Sequence, residues 1–323
     1  MKNPPLIQGI AEKITSLIEE LELKPDIWPE SFIKETKGWK HRYSSFSKNK
    51  EGEKVIFYAG LYNTEYEQNR MSTEVKLAQF LMKENLFSYF PIYISAGSKE
   101  EFGWLIREYF PSLPIEHKIK IEKLKRELKE SEIKELAKAI VKMGEIPVEN
   151  FPFLEKYKIE RFFRTIKTCQ DLSDEGVFSR KEYQKFKDFL EKNTNLIKDE
   201  HKYFCHGDFG IGNILMFDDN LKIIDLESSC LNNFAFDIAF LTTRLWQDKE
   251  VRKKIISYYF SFLPEEKKDI FPPLFRISSF LVGLQSYYSE PTEYSIEELK
   301  ARKEYYTRFL KSCISGFEEL INL

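Results

Sequence analysis

Short stretches near the N-terminus alternate apolar and polar residues, with the period of two that is typical of half-buried strands. Asn49–Gly52 separates two of them and has the composition of a hairpin turn. Apolar residues at helical spacing predict one helix at 5–22, before the strands, and another at 65–86, between the third and fourth strands. Ser72 or Thr73 is the expected N-cap of the second helix. The predicted strands are Ser31–Lys37, Arg42–Lys48, Lys54–Leu61, 89–96 and 102–110.

After residue 115 the pattern changes to the period of amphipathic helices. Two of these helices open with a capping box, in which Ser179 or Ser295 is followed three residues later by a glutamate. The predicted helices are 116–130, 131–143, 152–170, 179–195, Phe234–Trp246, 250–262, 272–288 and 296–321. We therefore expect an α+β protein with a small, sheet-rich domain at 1–112 and a mostly helical domain at 113–323.

Composition narrows the class of protein without identifying it. The 323 residues carry 50 lysines and arginines against 52 aspartates and glutamates, a net charge of −2 that gives no basis for binding nucleic acid or a membrane. The four cysteines include no C-x-x-C pair and are expected to be reduced thiols. The sequence shows no signal-peptide core and no run of eighteen apolar residues, so a cytoplasmic protein is expected.

The stretch 203–227 places polar residues within apolar surroundings. Three glycines in 207–212 predict a loop, and this loop contains Asp208. Two short apolar runs, separated by an Asp-Asp-Asn turn, predict a hairpin that leads from Asn213 to Asp225. A hairpin returns the chain to its starting end, so we expect Asn213 and Asp225 to lie together beside the Asp208 loop.

This arrangement suits Mg²⁺, which takes one or two hard oxygen ligands from protein and completes its shell with phosphate and water. Asp208 would then accept the proton of a substrate hydroxyl, as in the catalytic loop of a kinase. Taken singly, an aspartate or asparagine in a glycine-rich loop is more often a turn former, and Asp225 would simply end a strand. A metallophosphatase is disfavoured because the four histidines are scattered, and His206 is interpreted as a brace that bonds the loop backbone.

The strings HGDFGIGNIL, IIDLES and FAFDIAF resemble the signatures of the aminoglycoside phosphotransferase and choline kinase superfamily. The order of predicted strands and helices resembles the family over nearly the whole chain, whereas specific residues match only within 203–240. The resemblance implies a bilobal, protein-kinase-like fold in which Asp208 is the catalytic base and Asn213 and Asp225 bind Mg²⁺. It further implies that Asp237 braces the catalytic loop and that Glu227 contacts metal-bound water or substrate.

The resemblance also implies nucleotide contacts in the N-terminal domain. The backbone of Glu108 and Phe110 would bond the adenine edge, and Glu74 falls where the family has a helix glutamate. The loop at 37–40, which would cover the phosphates, has a single glycine.

The third strand departs from the family pattern. The family places a lysine there to pair with the ATP phosphates, whereas the alignment of KVIFYAGL puts Tyr58 at that position. Lys54 lies on the same strand face, but ~13 Å away along the strand. Lys40 or Lys48 would have to supply the missing cation from a neighbouring loop or strand.

The sequence therefore predicts Mg²⁺-dependent transfer of the γ-phosphoryl group of ATP or GTP to a hydroxyl group of a small molecule, such as an aminoglycoside, a choline-like amino alcohol or a sugar. The alternative is a nucleotide-binding pseudokinase that acts as a sensor or scaffold. Tyr58 favours the alternative, while the intact set of Asp208, Asn213 and Asp225 opposes it. The expected partners are the nucleotide and the hydroxyl acceptor, and the oligomeric state is left open.

Overall fold

The chain forms two compact units in a computed structural model. The first unit comprises Met1–Pro111 and Lys222–Ser228, and the second comprises Ser112–Leu221 and Ser229–Leu323. The domain division at residue 112 stays a prediction. The described residues are 5–31, 42–62, 64–84, 87–111, 113–114, 117–118, 123–124, 126–155, 167–168, 170–174, 176–217, 220–245, 248–289 and 295–315.

A five-stranded antiparallel sheet with the order β1-β2-β3-β5-β4 forms the centre of the first unit. The predicted hairpin of β2 and β3 is confirmed with its predicted bounds, while β4 begins at Tyr93 rather than at residue 89. The elements are α1 (Pro5–Glu20), β1 (Lys24–Pro25), β2 (Arg42–Lys48), β3 (Lys54–Leu61), α2 (Glu65–Leu81), β4 (Tyr93–Ser98) and β5 (Phe102–Glu108).

The two faces of this sheet pack against different helices. Alternate residues of β3 and β5, including Phe57 and Trp104, form one buried core with the apolar face of α1. The opposite face carries Tyr58 and Gly60 and packs against α2. This contact is close, because a Cβ atom at Gly60 would lie 2.7 Å from the Sδ atom of Met71. Glycine on the strand thus lets α2 approach the face that holds Tyr58.

Helices predominate in the second unit, as predicted. The helix α3 packs on α7, and α9 packs on both α6 and α10. These elements are β6 (Leu113–Pro114), β7 (His117–Lys118), β8 (Lys123–Leu124), α3 (Glu130–Met143), α4 (Arg180–Lys192), α5 (Thr194–Glu200), β9 (Tyr203–Cys205), β10 (Ile214–Phe217), β11 (Asn220–Ile223), β12 (Cys230–Asn232), α6 (Phe236–Arg244), α7 (Lys249–Phe262), α8 (Glu265–Lys268), α9 (Phe271–Tyr288) and α10 (Ile296–Ser315).

Three small sheets accompany these helices. Strand β9 pairs with β12, β7 pairs with β8, and the order β11-β10-β6 confirms that the two predicted hairpin strands are neighbours. Strand β11 carries the chain from the second unit back to the first, because the boundary falls between Leu221 and Lys222. Both predicted capping boxes are present, since the backbone N–H groups of Ser179 and Ser295 donate to the glutamates three residues later.

Two local predictions are wrong. The charge-rich segment 116–130 is not a helix over its described residues, because His117–Lys118 pairs with Lys123–Leu124 as two short strands. The N-cap of α2 is Thr64, whose hydroxyl accepts the N–H of Glu67, and not Ser72 or Thr73.

Some predictions fall on other parts of the chain. Residues 32–37 of the strand predicted at Ser31–Lys37, the loop at 37–40 with Lys40, and most of the helix predicted at 152–170 lie outside the described residues. None of the helices in the described part of the chain combines the length and apolar character that spanning a membrane requires.

Candidate active site

The loop that follows β9 in the second unit presents Asp208. Gly207 has a φ of 81°, a left-handed conformation that glycine adopts without steric cost. This turn is followed by Asp208, which is half-buried, and then by a single 3₁₀ turn over Ile211–Asn213. Of the glycines that predicted a loop, Gly207 therefore forms the turn just before the aspartate.

Asp237 fixes the backbone just before Asp208. The carboxylate is fully buried at the start of α6 and accepts the N–H groups of His206, at 2.8 Å, and Gly207, at 3.1 Å. Burial raises the pKa of Asp237 to about 6, although His206 and the two N–H groups act to lower it. These contacts are those that a residue bracing the loop would make.

His206 and Asn213 add further hydrogen bonds to the same loop. The N–H of Asp208 donates to Nδ1 of His206 at 3.3 Å, which gives that buried imidazole a backbone contact within the loop. The amide nitrogen of Asn213 donates to the backbone carbonyl of Asp208 at 2.9 Å. Because its nitrogen is engaged there, Oδ1 is the atom that Asn213 has to offer a cation. The structure thus brings four predicted residues together: His206, Asp208, Asn213 and Asp237.

A second group of predicted residues lies in the first unit. Glu74 of α2, Asp225 and Glu227 each offer a carboxylate oxygen, and these three oxygens lie within 4.8 Å of one another. We call this group the carboxylate cluster. Asp225 has a φ of 67°, a left-handed conformation that aspartate tolerates better than most residues. This turn ends the strand segment and leads into the 3₁₀ helix Leu226–Ser228.

The donor set of the carboxylate cluster fits a divalent cation. Its oxygens are hard ligands, and Glu74 and Glu227 are both at most 5 % exposed. Burial, followed by the Asp225 and Glu227 carboxylates, raises the pKa of Glu74. Burial and Asp225 likewise raise the pKa of Glu227, while Arg70 and Arg42 oppose that shift. A bound cation would offset the repulsion between these three carboxylates, so the carboxylate cluster has the character of a cation site.

Two arginines that the sequence analysis did not single out contact this cluster. Arg42, the first residue of β2, forms ion pairs with Glu227 and, at 3.6 Å, with Asp225. Arg70 of α2 forms an ion pair with Glu227 and donates to the hydroxyl of Ser228 at 2.7 Å. In the sequence each arginine looks like an ordinary surface residue. The only feature that could have directed attention to them is Tyr58, which stands where the family has a lysine, because it implies that a cation must come from elsewhere.

Tyr58 lies beside Arg42, with the guanidinium carbon 6.0 Å from the centre of the ring. Burial and then the Glu74 carboxylate raise the pKa of Tyr58, so the phenol is neutral at physiological pH. Neither lysine in the described part of these strands is placed to replace the missing charge. Lys48 and Lys54 pair with each other at the opposite end of the hairpin, six residues along β2 from Arg42. Lys40, the other predicted replacement, lies outside the described residues.

The predicted adenine contacts lie at the end of β5. The N–H of Glu108 donates to the carbonyl of Ile92, so an adenine would have only the carbonyl oxygen of Glu108 to bond. The Glu108 carboxylate accepts the N–H of Ile92 and pairs with Lys222 at 3.3 Å. Phe110 follows as a partly exposed residue. Backbone contacts with a nucleotide at these residues stay a prediction.

The fold and the local geometry agree with what the sequence analysis expects of a protein-kinase-like phosphotransferase. The sequence profile of the phosphotransferase enzyme family matches residues 55–269, which is more than half of the chain. The chain therefore belongs to the phosphotransferase enzyme family. Among curated protein sequences, none matches it significantly.

Solved structures of the same fold are similar over most of their length. The GDP complex of aminoglycoside 2'-phosphotransferase-IIIa has a TM-score of 0.56 and 11% identity, with 96% of this chain and 99% of that chain covered. Choline kinase from Cryptosporidium parvum Iowa II has a TM-score of 0.54 and 16% identity, with the same coverage of 96% and 99%. An amicoumacin kinase complex has a TM-score of 0.53 and 13% identity, covering 85% and 86%. The predicted α+β, protein-kinase-like fold is thus confirmed.

Proposed function

We propose that this protein is a Mg²⁺-dependent small-molecule kinase that transfers the γ-phosphoryl group of ATP or GTP to a hydroxyl group. The observation that carries the proposal is the carboxylate cluster in the first unit, where Asp225 joins two buried glutamates. Two of the similar structures contain nucleotides, GDP in one and AMP-PNP with Ca²⁺ in the other, which supports a nucleotide donor and a divalent cation.

Each predicted residue has a role that its local geometry permits. Asp208, on a loop held by Asp237, would orient the acceptor hydroxyl and accept its proton. The Asp225 carboxylate, within the carboxylate cluster, would hold the cation, which when bound neutralises charge on the phosphates. Asn213 stays a predicted ligand, with Oδ1 as its available atom. Because such catalysis is mostly positioning and charge stabilisation, losing Asp225 should be nearly as damaging as losing Asp208.

The first experiment separates nucleotide binding from phosphoryl transfer. The melting temperature of the protein is measured with ATP, GTP and ADP, each with and without Mg²⁺, because a ligand that binds only the folded state raises it. Asp225→Asn is the matched variant, since asparagine has nearly the same size and also tolerates the left-handed backbone at this position. A Mg²⁺-dependent rise that is lost in Asp225→Asn is the expected result.

The second experiment tests the chemistry. Release of ADP or GDP is measured with panels of aminoglycosides, amino alcohols and sugars as acceptors. Asp208→Asn should bind nucleotide like the wild type and lose turnover by about 10²–10⁴-fold, the usual range for a general base. No melting shift with any nucleotide would refute the kinase assignment. Mg²⁺-dependent nucleotide binding with no turnover across all panels would favour the pseudokinase alternative.

A further inference from the structure

The phosphates of a nucleotide need a positively charged partner, and Tyr58 cannot supply one. The phenol is neutral, and its buried oxygen has no hydrogen-bond partner among the described residues. A buried polar atom without a partner costs free energy, so such an atom beside a cavity points to a ligand that is bound there. The question is which side chain next to Tyr58 carries the missing charge.

A cavity beside Tyr58 is lined by two arginines. It has a volume of about 230 Å³, and its walls come from β2, β3, α2 and the 3₁₀ helix that contains Glu227. Arg42 enters from β2 and Arg70 from α2, and the buried Nε of Arg70 also lacks a hydrogen-bond partner among the described residues. We call this space the arginine cavity. Its volume is well above the ~30 Å³ share of one water molecule, so it admits a larger polar group.

Glu227 holds both guanidinium groups in place. Its side chain is only 4% exposed and pairs with Arg42 and with Arg70. The side chain of Arg42 is 41% exposed, so it stays partly accessible while it contacts the buried Glu227 carboxylate and lies 3.6 Å from Asp225. A guanidinium has five N–H donors in a fixed plane, so the pair with Glu227 does not use all of them. A partly exposed guanidinium with donors to spare can bind a phosphate in a bidentate manner.

Arg42 is also adjacent to the predicted metal ligand. Its guanidinium lies 3.6 Å from the Asp225 carboxylate, so a phosphate that reaches a cation on Asp225 also lies within reach of Arg42. We propose that Arg42 binds the phosphates of the nucleotide in place of the strand lysine, with Arg70 as a second cation and Glu227 as the residue that orients both. This inference rests on the proposed kinase function and adds phosphate-binding residues to it.

Other cations in the described part of the first unit are less well placed for this role. Lys48 and Lys54 lie at the far end of the β2–β3 hairpin. Arg107 of β5 is within electrostatic reach of Glu74 and Asp225, but it does not line the arginine cavity.

The inference is tested by calorimetric titration of the full chain with the better-binding of ATP and GTP in the presence of Mg²⁺, and with the corresponding nucleoside. Arg42→Gln removes the charge while glutamine still donates a hydrogen bond to Glu227. Because one charge-assisted bidentate contact is lost, nucleotide affinity should fall about 10- to 100-fold. Nucleoside affinity should not change, since a nucleoside has no phosphate.

A matched control removes the same kind of ion pair elsewhere. Arg126 pairs with the buried Glu132 in the second unit, and both of its terminal nitrogens, Nη1 and Nη2, donate to the carboxylate. Arg126→Gln therefore removes a comparable ion pair, and it is expected to change stability without changing nucleotide binding. Its nucleotide affinity should equal that of the wild type. A third protein, Arg42→Gln with Tyr58→Lys, restores a cation on the same sheet face next to Glu74, and it should recover at least part of the lost affinity.

The possible outcomes are distinguishable. Wild-type affinity for the nucleotide in Arg42→Gln would overturn this inference and leave the proposed function intact. An equal loss of affinity for nucleotide and nucleoside would also overturn it, because the effect would then not involve phosphate. Failure of the wild-type protein to bind any nucleotide would overturn both the inference and the proposed function.

Discussion

Replacing Gly103 with alanine should push α2 away from the sheet. Gly103 of β5 pairs with Gly60 of β3, and together they form the surface on which α2 packs. A Cβ atom at Gly103 would lie 2.8 Å from Cγ of Met71, 2.9 Å from the Tyr62 hydroxyl and 3.1 Å from Cγ2 of Val75. These separations are shorter than normal contacts, and they involve three side chains, so one rotamer change cannot relieve them.

The magnitude follows from two opposing effects. Overpacking in a well-packed core costs about 1–3 kcal/mol. Alanine also lowers the entropy of the unfolded chain relative to glycine, which returns about 0.5–1 kcal/mol. Gly103→Ala should therefore lower the free energy of unfolding by about 1–2 kcal/mol.

Gly60→Ala is the matched comparison, because the atoms nearest to its Cβ atom belong to a single side chain. The three nearest atoms all belong to Met71, at 2.7, 3.1 and 3.7 Å. Met71→Ala alone should cost about 2–5 kcal/mol by leaving a cavity. The double mutant Gly60→Ala with Met71→Ala should lose about 1–2 kcal/mol less stability than the sum of the two single mutants, because the new methyl group then enters the vacated space. Combined with Gly103→Ala the recovery should be smaller, since the contacts with Tyr62 and Val75 remain.

The assay is equilibrium unfolding in urea, followed by tryptophan fluorescence. Trp104, one of four tryptophans, is adjacent to Gly103 and only 8% exposed, so its share of the emission reports on this part of the first unit. Both double mutants would have to be compared with their single mutants at the same temperature. If the effects of Gly60→Ala and Met71→Ala add within about 0.5 kcal/mol, the two residues do not share a contact, and the reasoning is wrong.

Two further predictions concern the second unit. The pKa of Asp237 is about 6 in the folded state, above its ordinary value of 3.8. Between these two values the folded state binds a proton that the unfolded state has released. The contribution of this group to stability therefore falls by about 3 kcal/mol as pH rises from about 4 to 7. The difference in unfolding free energy between the wild type and Asp237→Asn should follow this fall, and a flat difference would contradict it. Ser179→Ala removes the hydroxyl that accepts the N–H of Glu182, and should cost about 1 kcal/mol in thermal unfolding, whereas Ser179→Thr keeps a hydroxyl and should cost much less.

The regular elements were predictable wherever the local pattern and the tertiary packing agree. Strands β2 and β3 bury alternate residues on α1, so the period of two in their sequence gives their bounds. The helix predicted at 116–130 is wrong over its described residues because charged residues at helical spacing specify no apolar face, and pairing between strands β7 and β8 decides the structure there. The cap of α2 was misplaced because its first turns are polar, and the apolar pattern begins only later in the helix.

The candidate site was predictable in its loop and not in its cations. The spacing of Asp208, Asn213 and Asp225 is local and carries its chemistry in the sequence, so these residues could be chosen from the sequence alone. Arg42 and Arg70 are brought to Glu227 by folding, over separations of 185 and 157 residues. No local pattern marks such a contact, because an arginine at the edge of a strand or on a polar helix face looks the same whether or not it pairs with a buried glutamate.

The short return segment Lys222–Ser228 determines when the first unit can be complete during synthesis. The segment belongs to the first unit, yet residues 112–221 are made before it. Until Glu227 has left the ribosome, Arg42 and Arg70 lack the carboxylate that pairs with both of them. A nascent chain that ends before this point would therefore have its sheet, but the two arginines that we propose to bind phosphate would lack the residue that orients them. We expect the capacity to bind a nucleotide to emerge only after residues 112–221 of the second unit have been synthesised, and before the helices α6–α10 are made.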